Sequence, residues 1–200
     1  MTSILVVCTG NICRSPIAEG FLRAAFQARM GSDAPEVTSA GTMGWTGSGA
    51  DPNSVEAAAE RGIDISGHRA RILDRADIAE ATLILAMANE HVDAVNLAAP
   101  AARSRTFTLK ELVRLLEAAP GMPREDRDPI AVRVEEADEL RRLGFSGNPH
   151  DEDIADPLGM PLRAFRVMAD ELEEWCARLA DRLVGSIDVR DASESGGSST

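Results

Sequence analysis

Ile4-Leu5-Val6-Val7-Cys8-Thr9-Gly10-Asn11-Ile12-Cys13-Arg14-Ser15-Pro16 governs how the rest of the chain is read. Its first five residues are continuously apolar and rich in β-branched side chains, the pattern of a strand buried on both faces, as in a parallel sheet. Thr9-Gly10-Asn11 breaks the run. Ser15-Pro16 has the order of an N-cap followed by a first-turn proline, and Ile17, Leu22 and Phe26 continue a helix to about Met30. The opening unit is strand, tight loop, helix. A thiol ends the strand and an arginine six residues on begins the helix, so loop amides, the helix dipole and a guanidinium converge on one point. That point is an anion site with Cys8 as a nucleophile at its floor, because a field that holds a phosphate dianion also stabilises a thiolate. Gly10 and Asn11 are residue types that tolerate the left-handed backbone such a cradle requires.

Outward from this unit, strands and helices alternate. Glu36 to Ala40 reads as a second strand, then a Gly-rich loop (41–49) and an Ala-rich helix over 53–61 that Gly62 ends. Ala81 to Met87 is a third strand with a helix over 90–97, and Arg105 to Leu109 a fourth with a helix over 110–118. The alternation predicts an α/β three-layer sandwich, a four-stranded parallel sheet with helices on both faces. Pro120 to Asp156 carries five Arg against eleven Asp and Glu, half the chain's excess charge, and is read as a long acidic surface excursion (120–155) with one short helix over 135–143. Phe165, Met168, Leu172, Trp175, Leu179 and Leu183 then recur at helical spacing and predict a long closing helix with one buried stripe. One domain spans 1–185. Residues 186–200, ending Ser-Glu-Ser-Gly-Gly-Ser-Ser-Thr, lack the apolar content to offset ordering entropy and form a disordered tail.

Composition narrows the function. A net charge of −12 opposes general binding to nucleic acid or an anionic membrane, so an anionic ligand must be captured locally. No apolar run approaches the ~20 residues of a membrane-spanning helix, and the N-terminus lacks signal-peptide order, which places the protein in the cytoplasm. Three scattered cysteines suit a reducing compartment. His68, His91 and His150 show no metal-ligand spacing, so neither metal nor cofactor is expected and each His reads as a surface or hydrogen-bonded residue.

The segment Cys8 to Pro16 resembles the signature loop of the low-molecular-weight protein tyrosine phosphatases. The resemblance runs over about 3–110 and 154–183 and includes Ser39-Ala40-Gly41-Thr42, Gly62-Ile63-Asp64, Gly67-His68-Arg69-Ala70-Arg71 and Asp156-Pro157. Phe107-Thr108-Leu109 with the acidic excursion is similar to a longer bacterial branch. The resemblance implies that Cys8 is the nucleophile, Arg14 the phosphate clamp and Asp156 the general acid, acting through a phosphocysteine intermediate on phosphotyrosine proteins or aryl phosphates. It implies phosphate binding by Thr9, Gly10, Asn11, Ile12, Cys13 and Ser15, with Ser15 also donating to the thiolate. It makes Asn11, Ser15, Ser39 and His68 supports of the loop, and Trp45 a wall of the cleft against the substrate ring. Two positions depart from the family. Leu158 stands where many relatives carry an aromatic, which leaves one wall less able to stack on a phenol, and Ala88 stands where many have Asp.

Asp51 and Asp128 also precede prolines; Asp156 is preferred as the acid because its place before the closing helix matches the family. Arsenate reduction is the main competing reaction, although the two extra cysteines of a thiol relay are missing after the third strand. Phosphoarginine hydrolysis is a second, and Ile12, where relatives with that preference have Thr, favours a flat aromatic ester instead. A catalytically weak phosphate-binding regulatory module is the alternative from another class, opposed by the presence of Cys8, Arg14 and Asp156 together. Cys13, in the same loop as Cys8, is expected to trap an oxidised nucleophile as a reducible disulfide.

Overall fold

The computed structural model describes residues 2–119, 128–145 and 151–185. Strands β1 (Ser3–Cys8), β2 (Glu36–Gly41), β3 (Leu83–Ala86) and β4 (Thr106–Thr108) form one parallel sheet in the order β2-β1-β3-β4. β1 is central and buried on both faces, as its continuous apolar run requires. Ile4, Val6 and Cys8 enter one core layer and Leu5 and Val7 the other. The first layer packs under α1 (Arg14–Met30), α2 (Pro52–Ala59), α5 (Leu109–Ala118), α6 (Pro129–Arg142) and α7 (Leu162–Val184); the second packs under α3 (Arg75–Glu80) and α4 (Asn89–Ala98). The chain leaves β1 for one side of the sheet and later returns to the other, so the C-terminal end of β1 lies at a topological switch point, where open α/β sheets place ligands.

Three readings are corrected. Ser15 is not the N-cap of α1: the helix begins at Arg14, Cys13 occupies the cap position, and no side chain caps it. The Ser15 hydroxyl is turned into the loop, where it has sulfur and amide partners. The helix expected over 135–143 is longer and not confined to the surface: α6 covers Pro129–Arg142 and packs Ile130, Val134 and Ala137 into the core. Asp128 starts that helix by accepting from the Ile130 amide at 2.9 Å, and Pro129 at the first position needs no amide partner. The short helix α3, which Asp74 and Asp77 close reciprocally as a capping box, had no counterpart in the sequence reading.

The closing helix places Phe165, Met168, Leu172, Leu179 and Leu183 in the core; Trp175 is half-buried, with the Arg178 guanidinium 4.0 Å from its ring centroid. His150, the other residues of 120–127 and 146–150, and residues 186–200, where a disordered tail is expected, lie outside the described residues. No described helix is long and apolar enough to cross a membrane.

Candidate active site

Cys8 ends β1 with its side chain buried. Its Sγ lies 3.0 Å from Ser15 Oγ and 3.3 Å from the Asn11 amide, which donates to it. Ser15 Oγ also accepts from Asn11 Nδ2 at 2.9 Å, which leaves the Ser15 proton to point at sulfur. Asn11 is the one non-glycine residue among those described with positive φ, at 54°. Its side chain explains why that conformation is held: Nδ2 donates to Ser15 and to Ser39 at 2.7 Å, and Oδ1 accepts from the Arg71 amide at 3.0 Å. His68 Nε2 donates to the Asn11 carbonyl at 2.7 Å. Every polar atom of the buried Asn11 side chain is thereby used, which fixes the turn behind the sulfur.

The sheet shapes the loop from the other side. Thr42 and Met43 amides donate to the carbonyls of Cys8 and Thr9, each at 2.9 Å, so the backbone after β2 continues to pair with the loop. A Cβ at Gly41 would stand 2.8 Å from the Thr9 carbonyl oxygen and 3.0 Å from the Gly10 carbonyl carbon; only glycine fits there. A Cβ at Gly10 would stand 2.9 Å from Trp45 Cδ1, so the indole lies against the loop backbone, half exposed, with Ile12 beside it.

Arg14 is buried. Its Nη1 donates to the Ile154 carbonyl at 3.2 Å, and its Nη2 donates to Thr9 Oγ1 at 3.1 Å and to Asp156 Oδ2 at 2.6 Å. Nε is buried with no acceptor. A guanidinium held in place at both Nη atoms, with Nε free, is set to receive anionic oxygens in its forked geometry. Asp156 is held in turn, since its Oδ1 accepts from the Leu158 amide at 3.1 Å. The other two Asp-Pro pairs are separated from this arrangement by function: Asp51 caps α2 through the Asn53 amide, and Asp128 caps α6.

The geometry combines a thiol hydrogen-bonded by an amide and a hydroxyl, a clamp and a carboxylate within reach of that clamp. A family model for low molecular weight phosphotyrosine protein phosphatases matches residues 3–136. The chain belongs to that family. The relatives of this phosphatase include a protein-arginine-phosphatase of Geobacillus stearothermophilus, 35% identical over 180 residues that cover 90% of this chain and 95% of that protein. They also include the low molecular weight protein-tyrosine-phosphatase Etp of Escherichia coli K12, 42% identical over 52% of this chain and 67% of Etp. Among solved structures, the tyrosine phosphatase AmsI of Erwinia amylovora superposes with a TM-score of 0.67 at 27% identity, covering 91% of this chain and 93% of AmsI. The YwlE arginine phosphatase of Geobacillus stearothermophilus gives 0.66 at 30% identity over the whole of both chains.

Beside this site stand groups that the sequence reading passed over. Of the two roles expected for His91, surface or hydrogen-bonded, the structure has the second: the ring is buried with Nε2 2.9 Å from Thr9 Oγ1, the hydroxyl that receives Arg14. Burial first and the Arg14 charge second push its pKa down to about 4, so the ring is neutral at pH 7. Ala88 gives α4 no side-chain cap, but Asp153 supplies the carboxylate from elsewhere in the chain, accepting from the Asn89 amide at 2.8 Å. Neither link is visible as a local motif. Cys13 is buried and burial pushes its thiol up to about 12, so at neutral pH it is an apolar packing group. All three cysteines are free thiols.

Proposed function

We propose that this phosphatase hydrolyses phosphotyrosine in protein substrates through a phosphocysteine formed on Cys8. The Cys8 thiolate attacks phosphorus in line with the leaving oxygen; an S–P bond forms, the P–O bond to the phenol breaks, and Asp156 transfers its proton to the departing oxygen. Arg14 and the loop amides balance the charge on the equatorial oxygens. A water then attacks phosphorus, Asp156 takes its proton, the S–P bond breaks, and phosphate leaves with the thiolate restored. Ser15 and the Asn11 amide stabilise that thiolate both as nucleophile and as leaving group. Thr9, Gly10, Ile12 and Cys13 contribute through the loop backbone, while Ser39 and His68 hold the Asn11 turn.

The observation that carries the choice of phosphotyrosine is the indole of Trp45 lying against Gly10 with Ile12 adjoining it, an apolar wall suited to the face of an aromatic ring. Leu158, two residues after Asp156 and about half exposed, presents an aliphatic side chain to solvent near the acid. Phosphoarginine is the second reading, and the arginine phosphatase relative that aligns along 95% of its own length is what favours it.

The experiment compares kcat/KM on one peptide carrying phosphotyrosine or phosphoarginine at the same position, for the full chain and for Cys8→Ser. The phosphotyrosine peptide is expected to turn over faster, and Cys8→Ser to lose turnover while still binding vanadate. Faster release from phosphoarginine overturns the substrate assignment. Residual turnover by Cys8→Ser near the wild-type rate overturns the covalent mechanism.

A further inference from the structure

A cavity of about 520 Å³ lies beside the catalytic centre, lined by Asp156, Pro157, Met160, Arg163, Val167 and Glu171 among others, with the Glu171 charge taken up by Lys110 at 2.6 Å. It shares a wall with the site, because Asp156, whose Oδ2 is 2.6 Å from the Arg14 guanidinium, also faces this cavity. Met160 and Val167 are more than half exposed. Val167 sits on α7 outside the stripe formed by Phe165, Met168 and Leu172, so the core does not require an apolar residue there. The cavity wall is shaped by fixed turns. Leu158 N–H binds Asp156 Oδ1, the Met160 amide donates to the Pro157 carbonyl at 2.8 Å, and Gly159 between them has φ 79°. Arg163, at the rim, is exposed and has no ion pair among the described residues, on a chain whose net charge is −12.

We propose that this cavity is a substrate subsite that takes an apolar side chain close in sequence to the phosphorylated residue, with Arg163 meeting an acidic residue next to it. The inference rests on the phosphatase reading above and adds what the substrate protein must carry. A phosphotyrosine whose phosphate is held at Arg14 brings its backbone to the cleft mouth, and a neighbouring side chain crosses Asp156-Pro157 into the cavity. The occupant is thus a segment of the phosphoprotein itself. The apolar part of the lining, Pro157, Met160 and Val167, provides affinity by burial, and because Asp156 and Glu171 are already paired with Arg14 and Lys110, Arg163 is the charge left to provide sequence preference.

The test is a set of alanine-flanked phosphotyrosine peptides in which each position from three before to three after the tyrosine is changed in turn to Leu, Asp or Lys. Phosphate release is measured for the full chain, Val167→Glu and Arg163→Glu, with p-nitrophenyl phosphate as a substrate too small to reach the cavity. At one position Leu should raise kcat/KM roughly five- to tenfold over Ala, and at an adjacent position Asp should exceed Lys. Val167→Glu should remove the Leu preference and Arg163→Glu should reverse the Asp preference, each leaving p-nitrophenyl phosphate turnover within about twofold. A flat profile at all positions with normal nitrophenyl turnover overturns the subsite alone, as does a Leu preference that survives in Val167→Glu. Absence of nitrophenyl turnover in the wild type overturns the phosphatase reading, and the subsite with it.

Discussion

The loop from Cys8 to Ser15 and the segment from Asp151 to Asp156 meet at Arg14 but are held by different means. The loop is fixed by hydrogen bonds among Asn11, Ser15, Ser39 and the backbone beyond β2, close-range contacts inside a buried layer. The acid-bearing segment is pinned largely by charge. Lys110 reaches Asp151 at 3.1 Å and the Asp153 carbonyl at 3.0 Å, Arg114 reaches Asp151 at 2.9 Å and Glu152 at 2.8 Å, and Asp153 caps α4. One backbone bond, from the Ile154 amide to the Met87 carbonyl at 2.8 Å, ties it to the end of β3. The nucleophile is thus set by shape and the acid largely by electrostatics, while the Arg14 clamp, paired with Asp156, is held by both. The first should be insensitive to ionic conditions, while the second responds to them.

The comparison is broken most severely at the clamp the two regions share. Arg14→Lys keeps the charge but loses the fork, and turnover of an aryl phosphate should fall by at least about 10³-fold together with vanadate binding, read by initial rates and by vanadate competition. Asp156→Asn should leave vanadate binding intact. Its activity loss should reach roughly 10²–10³-fold on phosphotyrosine and be smaller on p-nitrophenyl phosphate, whose leaving group needs less protonation. The same change at Asp51 or Asp128 should cost helix caps and stability without this leaving-group pattern.

Lys110→Met removes the central pin. Burial works against the Lys110 charge, yet the hydrogen bonds it donates to Glu171 and Asp151 hold its pKa above the ordinary lysine value, and Asp151 is held below its own by Lys110. Breaking this group should lower stability, seen as a lower urea midpoint, with the loss limited because the carboxylates left behind reach solvent. The rate should fall more on phosphotyrosine than on the nitrophenyl ester, in a milder form of the Asp156→Asn pattern. Equal losses on both esters would mean that the segment positions more than the acid.

The smallest effect belongs to His91. Its folded pKa, near 4, is below the unfolded value of about 6.5, so the unfolded chain binds more protons between these limits. Stability is therefore complete above about 6.5 and declines as the pH falls towards 4. His91→Gln should flatten that decline by up to about 1.4 kcal/mol per pH unit, measured by urea unfolding from pH 7.5 to 4.5. An unchanged slope would remove His91 from the linkage.

The same contrast explains what could be read from the sequence. The loop was legible because its chemistry is contiguous: an apolar run, a Gly-Asn break, and Cys8 and Arg14 six apart report strand, turn and helix through local rules. Ser15 shows where those rules fail, since the residue has N-cap chemistry but its hydroxyl is drawn to sulfur and Asn11. Beyond about residue 120 the charged composition pointed to solvent. It concealed α6, whose Ile130, Val134 and Ala137 reach the core within a helix where half of the residues are charged. Lys110, Arg114 and Asp153 read as ordinary surface charges, because their partners are more than 30 residues away and no spacing rule connects them.

Gly41 ends β2, the outermost of the four strands, and its outward backbone groups pair with Arg71 and Leu73 at 2.9 and 2.8 Å. Here the missing side chain lets β2 serve as the mould in which the Thr9–Asn11 backbone is cast. A saturation library over β2 should therefore show a gradient of tolerance within six residues: permissive at exposed Glu36, selective at Ser39, and closed at Gly41. Inheritance of the phosphate cradle then depends as much on an empty volume in a neighbouring strand as on the reactive residues themselves.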